Sequence, residues 1–137
     1  VAAALERLRP RIEEAGAKIT VRDLPEVNGD FRLMVRAFYN LIDNAMKFQP
    51  PGQTPEIEIG MAEQDGKTAI VIADNGIGMA PERIAQAFII LRRLHPDGVY
   101  DGRGVGLTFA KKIIDIHGGD IWIESKPGEG TRVFFTV

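Results

Sequence analysis

Apolar residues recur with helical spacing across residues 31–48 and in simple alternation across residues 56–73, and the period changes at the pair Pro50-Pro51. At about 100° per residue, Met34, Val35, Phe38, Leu41, Ile42 and Ala45 fall on one arc of a helix, with Arg36, Asn40, Asp43, Asn44 and Lys47 opposite. In the alternating stretch Ile57, Ile59 and Met61 share one face of a strand over 56–63, and Asp65-Gly66 supplies a two-residue turn into a second strand over 68–73. A one-sided helix and a one-sided antiparallel pair each expose an apolar face that neither can bury alone. The chain must therefore lay helix on sheet.

The flanks extend that pattern. Residues 1–15 place Ala4, Leu5, Leu8 and Ile12 at helical spacing among charges, predicting a short amphipathic helix ended by Gly16, with Pro10 as a candidate break. Residues 18–23 alternate, with Ile19 and Val21 on one face, residues 25–29 read as a loop, and Asp30 caps the long helix. Beyond Asp74 a short helix is expected over 81–88 and an aperiodic loop over 89–103. A helix over 104–117 follows, stopped by Gly118-Gly119. Strands over 121–125 and 131–137, joined by Pro127-Gly128-Glu129-Gly130, close the chain. The expected fold class is α+β, a two-layer sandwich with helices on one face of a mixed sheet.

With 137 residues and 45% hydrophobic content, one domain with one core is expected. Near-balanced charge, 17 Lys plus Arg against 19 Asp plus Glu, argues against a nucleic-acid or anionic-membrane binder. Cysteine is absent, and the histidines are His95 and His117 alone, which excludes disulfides, thiolate metal sites and a cysteine nucleophile and disfavours zinc. Apolar runs of a few residues fall far short of the roughly 20 that span a bilayer, so no membrane contact is expected and the chain reads as cytoplasmic. It starts at Val1, as a piece of a longer protein would.

Four small constellations carry chemistry. Asn40, Asn44 and Lys47 stand at i, i+4 and i+7, a ridge of two amides and an ammonium that suits a hard cation and phosphates and would equally serve as a solvated face. Asp74 ends an apolar strand directly before Asn75-Gly76-Ile77-Gly78. That is ordinary turn chemistry, but it also offers an acceptor-only carboxylate beside glycines that admit a flat ring, favouring an exocyclic amine over a carbonyl. Gly102-Arg103-Gly104-Val105-Gly106 opens a helix whose free amides suit a polyphosphate, without the spacing of a Walker loop or a dinucleotide fingerprint. Gly128-Glu129-Gly130-Thr131 alone reads as a hairpin turn.

Taken in order, these segments resemble the ATP-binding catalytic domain of two-component sensor histidine kinases, of the Bergerat type shared with gyrases and a heat-shock chaperone family. NLIDNAMKF (residues 40–48) resembles the N box, DNGIGM (74–79) the first glycine box, Phe88 the F box, GRGVGL (102–107) the second glycine box, and GEGT (128–131) the terminal glycine motif. The stretch FIILRRLHPDGVYDGRGVGL is similar to the phytochrome-related subset. The resemblance implies ATP and Mg2+ as cofactors, with Asn44 as magnesium ligand, Asn40 helping to hold metal or phosphates, and Lys47 meeting the phosphates. It sets Phe48 against the adenine and Asp74 on the adenine amine, with Gly76 and Gly78 shaping the pocket and Thr131 behind it. Arg93 would reach the terminal phosphate, and Gly102, Arg103, Gly104, Gly106 and Leu107 would form the lid and phosphate end. His117 falls at a structural position ending a helix.

Leu91, where an aromatic is usual, and Arg103, where a small hydroxyl residue is usual, depart from the pattern. The resemblance further implies that residues 1–16 lead from an upstream dimerisation region into a catalytic domain over 17–137. Its partners would be upstream histidine-phosphotransfer helices and, downstream, a response regulator, with a monomer in isolation and a dimer in the parent kinase. Gyrase-like ATPases carry a Glu one helical turn before the metal-binding Asn. Asn40 in that place favours transfer over hydrolysis, a gyrase-like ATPase and a degenerate nucleotide-binding module being the alternatives.

Overall fold

A computed structural model of the chain describes residues 1–24, 29–47, 49, 52–78 and 105–136. Helix α1 (Ala2–Ala15) leads into strand β1 (Lys18–Val21), followed by α2 (Phe31–Lys47), β2 (Glu56–Gln64), β3 (Lys67–Asp74), α3 (Val105–Ile116), β4 (Ile121–Ser125) and β5 (Thr131–Phe135). The sheet order is β1-β2-β3-β5-β4, parallel between β1 and β2 and antiparallel elsewhere. This is the mixed sheet expected. The short helix over 81–88 and the loop over 89–103 lie outside the described residues.

Local chemistry accounts for the boundaries. Asp30 Oδ1 accepts the Leu33 backbone N–H at 3.1 Å and so caps α2. Asp65 and Gly66 both take positive φ, 51° and 77°, the geometry of a two-residue hairpin turn. Helix α1 ends on a left-handed Gly16, whose neighbour Ala17 donates its N–H to the Ile12 carbonyl. The same device ends α3, where Gly118 (φ 75°) donates to the Asp115 carbonyl and Gly119 to that of Ile114. His117 is a latch there: its Nε2 accepts the Asp30 N–H at 3.0 Å, so Nδ1 carries the proton and donates to the Ile113 carbonyl at 2.7 Å.

Three expectations need correction. Helix α1 continues through Pro10, held on one side by the fully buried Ala4 and Leu8 and on the other by the Arg11–Asp43 ion pair to α2. Strand β1 stops at Val21 and β5 at Phe135, short of the expected ends. Met61, 51% exposed, and Val21 stand on a part of the sheet that the described helices leave uncovered.

The core is one layer between helices and sheet. Ile57, Ile59, Ile70, Ile72, Ile123, Val133 and Phe135 cluster with the apolar arc of α2 and with Ala110, Ile113 and Ile114 of α3. The ring of Phe38 meets that of Phe135 edge-on at 5.5 Å, a contact worth about 0.5–1.5 kcal/mol beyond the area it buries. The opposite face of the sheet carries a separate pair, Trp122 stacked on Phe134 at 5.4 Å.

Candidate functional site

On the helix-facing side of the sheet, the row Ile72–Val133–Ile123 is followed two residues on by Asp74–Thr131–Ser125, paired directly across β3, β5 and β4. Three neighbouring strands thus turn from apolar to polar at the same end. Helix α2 is oriented toward that end. Phe38 sits at Phe135, which pairs with Ile70, while the helix terminus is tied to the loop after Asp74 by side-chain amides. Gln49 donates to the Ala45 carbonyl at 3.1 Å, and Gln53 donates both to Gln49 Oε1 at 3.1 Å and to the Asn75 carbonyl. The Asn40–Asn44–Lys47 ridge therefore runs toward the polar row.

Asp74 Oδ1 accepts two backbone N–H groups, from Gly76 at 2.7 Å and from Thr131 at 3.2 Å. Both bonds favour the charged form, yet burial outweighs them and pushes the carboxyl up to about 6. Oδ2 makes no hydrogen bond among the described residues and is the acceptor left for a ligand. Asn75 braces the loop from behind, its Oδ1 accepting the Glu56 N–H at 2.9 Å and its Nδ2 donating to the Thr54 carbonyl at 3.1 Å.

The glycines interlock two loops. A Cβ on Gly78 would lie 1.9 Å from the Lys126 carbonyl oxygen, and one on Gly130 would lie 2.1 Å from that of Asp74. Gly128 N–H donates to the Ile77 carbonyl at 2.7 Å. Gly78 therefore packs the loop after Asp74 against the loop at Lys126 through backbone contact. Gly76 is buried and holds Asp74.

The ridge on α2 climbs from core to solvent. Asn40, expected on the polar arc, is only 9% exposed, Asn44 is half-buried, and Lys47 is exposed. Asn40 Nδ2 is a buried donor without a hydrogen-bond partner among the described residues, a costly arrangement that an acceptor on a ligand would relieve. Lys47 Nζ lies 3.2 Å from Asp43 Oδ2, and Arg11 engages the other oxygen of that carboxylate. The Lys47 end of the pair is open to solvent and Asp43 keeps Arg11, so Lys47 can exchange Asp43 for another anion.

Among the described residues no group of three or more His, Cys, Asp or Glu could hold a metal ion. The Asn44 amide oxygen, half-buried on α2, is of a type that would suit a hard cation. Gly106 and Leu107 occupy the first turn of α3, where backbone N–H groups have no partner within the helix. Phe48, Phe88, Leu91, Arg93, His95, Gly102, Arg103 and Gly104 lie outside the described residues. Sequence reasoning passed over Gln49, Gln53 and Ser125. Ser125 carried a readable signal, a polar residue ending the alternation Ile121, Ile123 just as Asp74 ends Ile70, Ile72.

Comparison with known proteins agrees with the fold. Over 98% of its length the chain is 42% identical to the phytochrome-like protein Cph1 of Synechocystis sp., of which it spans 18%. Over 84% of its length it is 38% identical to the adaptive-response sensory kinase SasA of Prochlorococcus marinus, of which it spans 30%. Among solved structures it superposes on the mycobacterial sensor histidine kinase MprB with a TM-score of 0.74 and 28% identity, covering 96% of this chain and 87% of that one. Full-length ShkA in complex with AMPPNP gives a TM-score of 0.72 at 26% identity, over 96% of this chain and 27% of that one. Residues 29–137 match the family described as histidine kinase-, DNA gyrase B- and HSP90-like ATPases, and to that family the chain belongs.

Proposed function

We propose that the chain binds magnesium-ATP and transfers the terminal phosphoryl group to a histidine on a separate helical domain of its parent protein. The carrying observation is Asn40, a buried amide whose donor end has no hydrogen-bond partner among the described residues, one helical turn before Asn44. An amide donates to a phosphate oxygen but cannot take a proton from water, so the arrangement supports transfer to an outside acceptor over hydrolysis. The sensory kinases among its relatives and the AMPPNP complex of its neighbour ShkA support the same reading.

Asp74 accepts the adenine amine, and Phe48 lies against the ring. Asn40 and Lys47 hold the phosphates, Gly102, Arg103, Gly104, Gly106 and Leu107 enclose them, and Arg93 reaches the terminal one. Magnesium, when bound at Asn44, offsets phosphate charge. The imidazole nitrogen of the acceptor histidine attacks phosphorus in line, the bond to the bridging oxygen breaks, and ADP leaves. Both the dimerisation helices that carry this histidine and the response regulator that receives the phosphoryl group lie outside the chain. The isolated chain acts as a monomer in the cytoplasm, where ATP is supplied. No described helix is long and apolar enough to cross a membrane.

Calorimetric titration with ATP and GTP in the presence of magnesium tests the reading. ATP should bind more tightly by at least about tenfold, because a hydrogen bond to a charged acceptor contributes about 1.5–3 kcal/mol. Equal affinity for the two nucleotides, or no binding of ATP, refutes it.

A further inference from the structure

A carboxylate stands beside the amide ridge of α2. At about 100° per residue, Asp43 lies about 40° from Lys47 and about 60° from Asn40 around the helix, and it directly precedes Asn44 in the chain. Its side chain is only 13% exposed, and both of its oxygens are engaged. Arg11, reaching across from α1, holds Oδ1, and Lys47 Nζ lies 3.2 Å from Oδ2. Taken alone, the segment from Asn40 to Lys47 holds one acid, Asp43, and one base, Lys47, and so has no net charge to offer a polyphosphate. The balancing cation comes from a different element, 32 residues earlier in the chain.

We infer that Arg11 is a positioning residue for the nucleotide phosphates: by neutralising Asp43 from α1, it leaves the Lys47 ammonium to them. The inference rests on the proposed binding of magnesium-ATP at the ridge and adds a residue from outside the segments that carry the motifs. With Arg11 in place, Asp43 keeps a counter-ion when Lys47 turns to a phosphate, and the exchange strands no shielded charge. Without it, the carboxylate competes with the phosphates for Lys47 and sets a like charge against them.

The test is calorimetric titration of the 137-residue chain and its variants with magnesium-ATP at low salt. Arg11→Gln, which keeps a good helix former on an exposed helix face, should weaken ATP binding by about threefold, the size expected of one partly exposed charge pair. The loss should shrink in about 1 M salt, where screening acts over about 3 Å. Arg11→Lys should retain wild-type affinity. Asp43→Asn breaks the same ion pair but removes the competing charge, so it should bind ATP as tightly as wild type or more so, and in that background Arg11→Gln should have no further effect. A purely structural role for the pair, holding α1 on α2, makes Arg11→Gln and Asp43→Asn weaken binding alike. That result, an Arg11→Gln variant that binds as wild type does, or a loss that persists in the Asp43→Asn background overturns the inference alone. A wild-type chain that binds no ATP overturns the inference and the proposed function together.

Discussion

Asp74 is held in a state that costs the fold stability, and Asp74→Asn exposes the cost. Burial keeps the carboxyl protonated up to about pH 6, against 3.8 for the free group. A gap of about two units corresponds to a ceiling of about 3 kcal/mol, and because the side chain keeps some contact with solvent, about 1–2 kcal/mol is the expected size. Between the two values the folded chain binds more protons than the unfolded one, so wild-type stability falls as pH rises from about 4 to about 7 and then levels off. Asparagine keeps an oxygen for the Gly76 and Thr131 amides and carries no charge. In nucleotide-free thermal unfolding the variant should match wild type near pH 4 and exceed it by about 3–8 °C at pH 8. In ATP titration the order reverses, with the variant weaker by about 1.5–3 kcal/mol. For the wild-type chain, ATP affinity should fall below about pH 6, by roughly tenfold per unit, as the acceptor takes up its proton. A variant no more stable than wild type at pH 8, or a gap that does not change with pH, refutes the reasoning.

Asn44→Ala should weaken magnesium-dependent nucleotide binding by at least about tenfold while moving the urea unfolding midpoint little, because the side chain is only half-buried on the polar ridge. Gly78→Ala should cost about 2 kcal/mol or more in urea unfolding, since its Cβ would meet the Lys126 carbonyl at 1.9 Å. Gly52→Ala, with φ 79° but nothing within 4 Å, should cost only the backbone strain of about 1 kcal/mol. His117→Ala should lower stability by about 1–3 kcal/mol through the lost contacts to Asp30 and Ile113 and leave ATP affinity unchanged; a large loss of affinity would contradict its role as a latch.

Much of the fold was legible because each element announces itself locally. Asp30, Gly16, Asp65-Gly66 and Gly118-Gly119 act through their own backbone, and the structure finds them as read. Pro10 misled because its effect is decided by tertiary contacts: Leu8 and Arg11 hold α1 to α2 on both sides of it. Asn40 was assigned to the polar arc, yet in the folded chain it is buried, and a helical wheel has no knowledge of what packs against the helix. The site's individual residues were readable, but not the partnerships among them. That Gln53 reaches Asn75, that Gly130 abuts the Asp74 carbonyl and that Ser125 meets Thr131 all depend on strand register and loop geometry across the sheet. One part of that register could have been foreseen, because Ile70-Ile72-Asp74, Ile121-Ile123-Ser125 and Thr131-Val133-Phe135 each place a polar residue at one end of an alternating run.

The central claim is phosphoryl transfer to a histidine outside the chain, and it is tested by giving ATP labelled at its terminal phosphate to the chain alone and then to the chain mixed with its upstream helical hairpin. Acid-labile, base-stable label should appear on the hairpin's histidine and nowhere else, with little phosphate released when the chain is alone, because Asn40 cannot activate water. Arg93→Ala should reduce the transfer. Label on His95 or His117, or rapid phosphate release without any acceptor, contradicts the account.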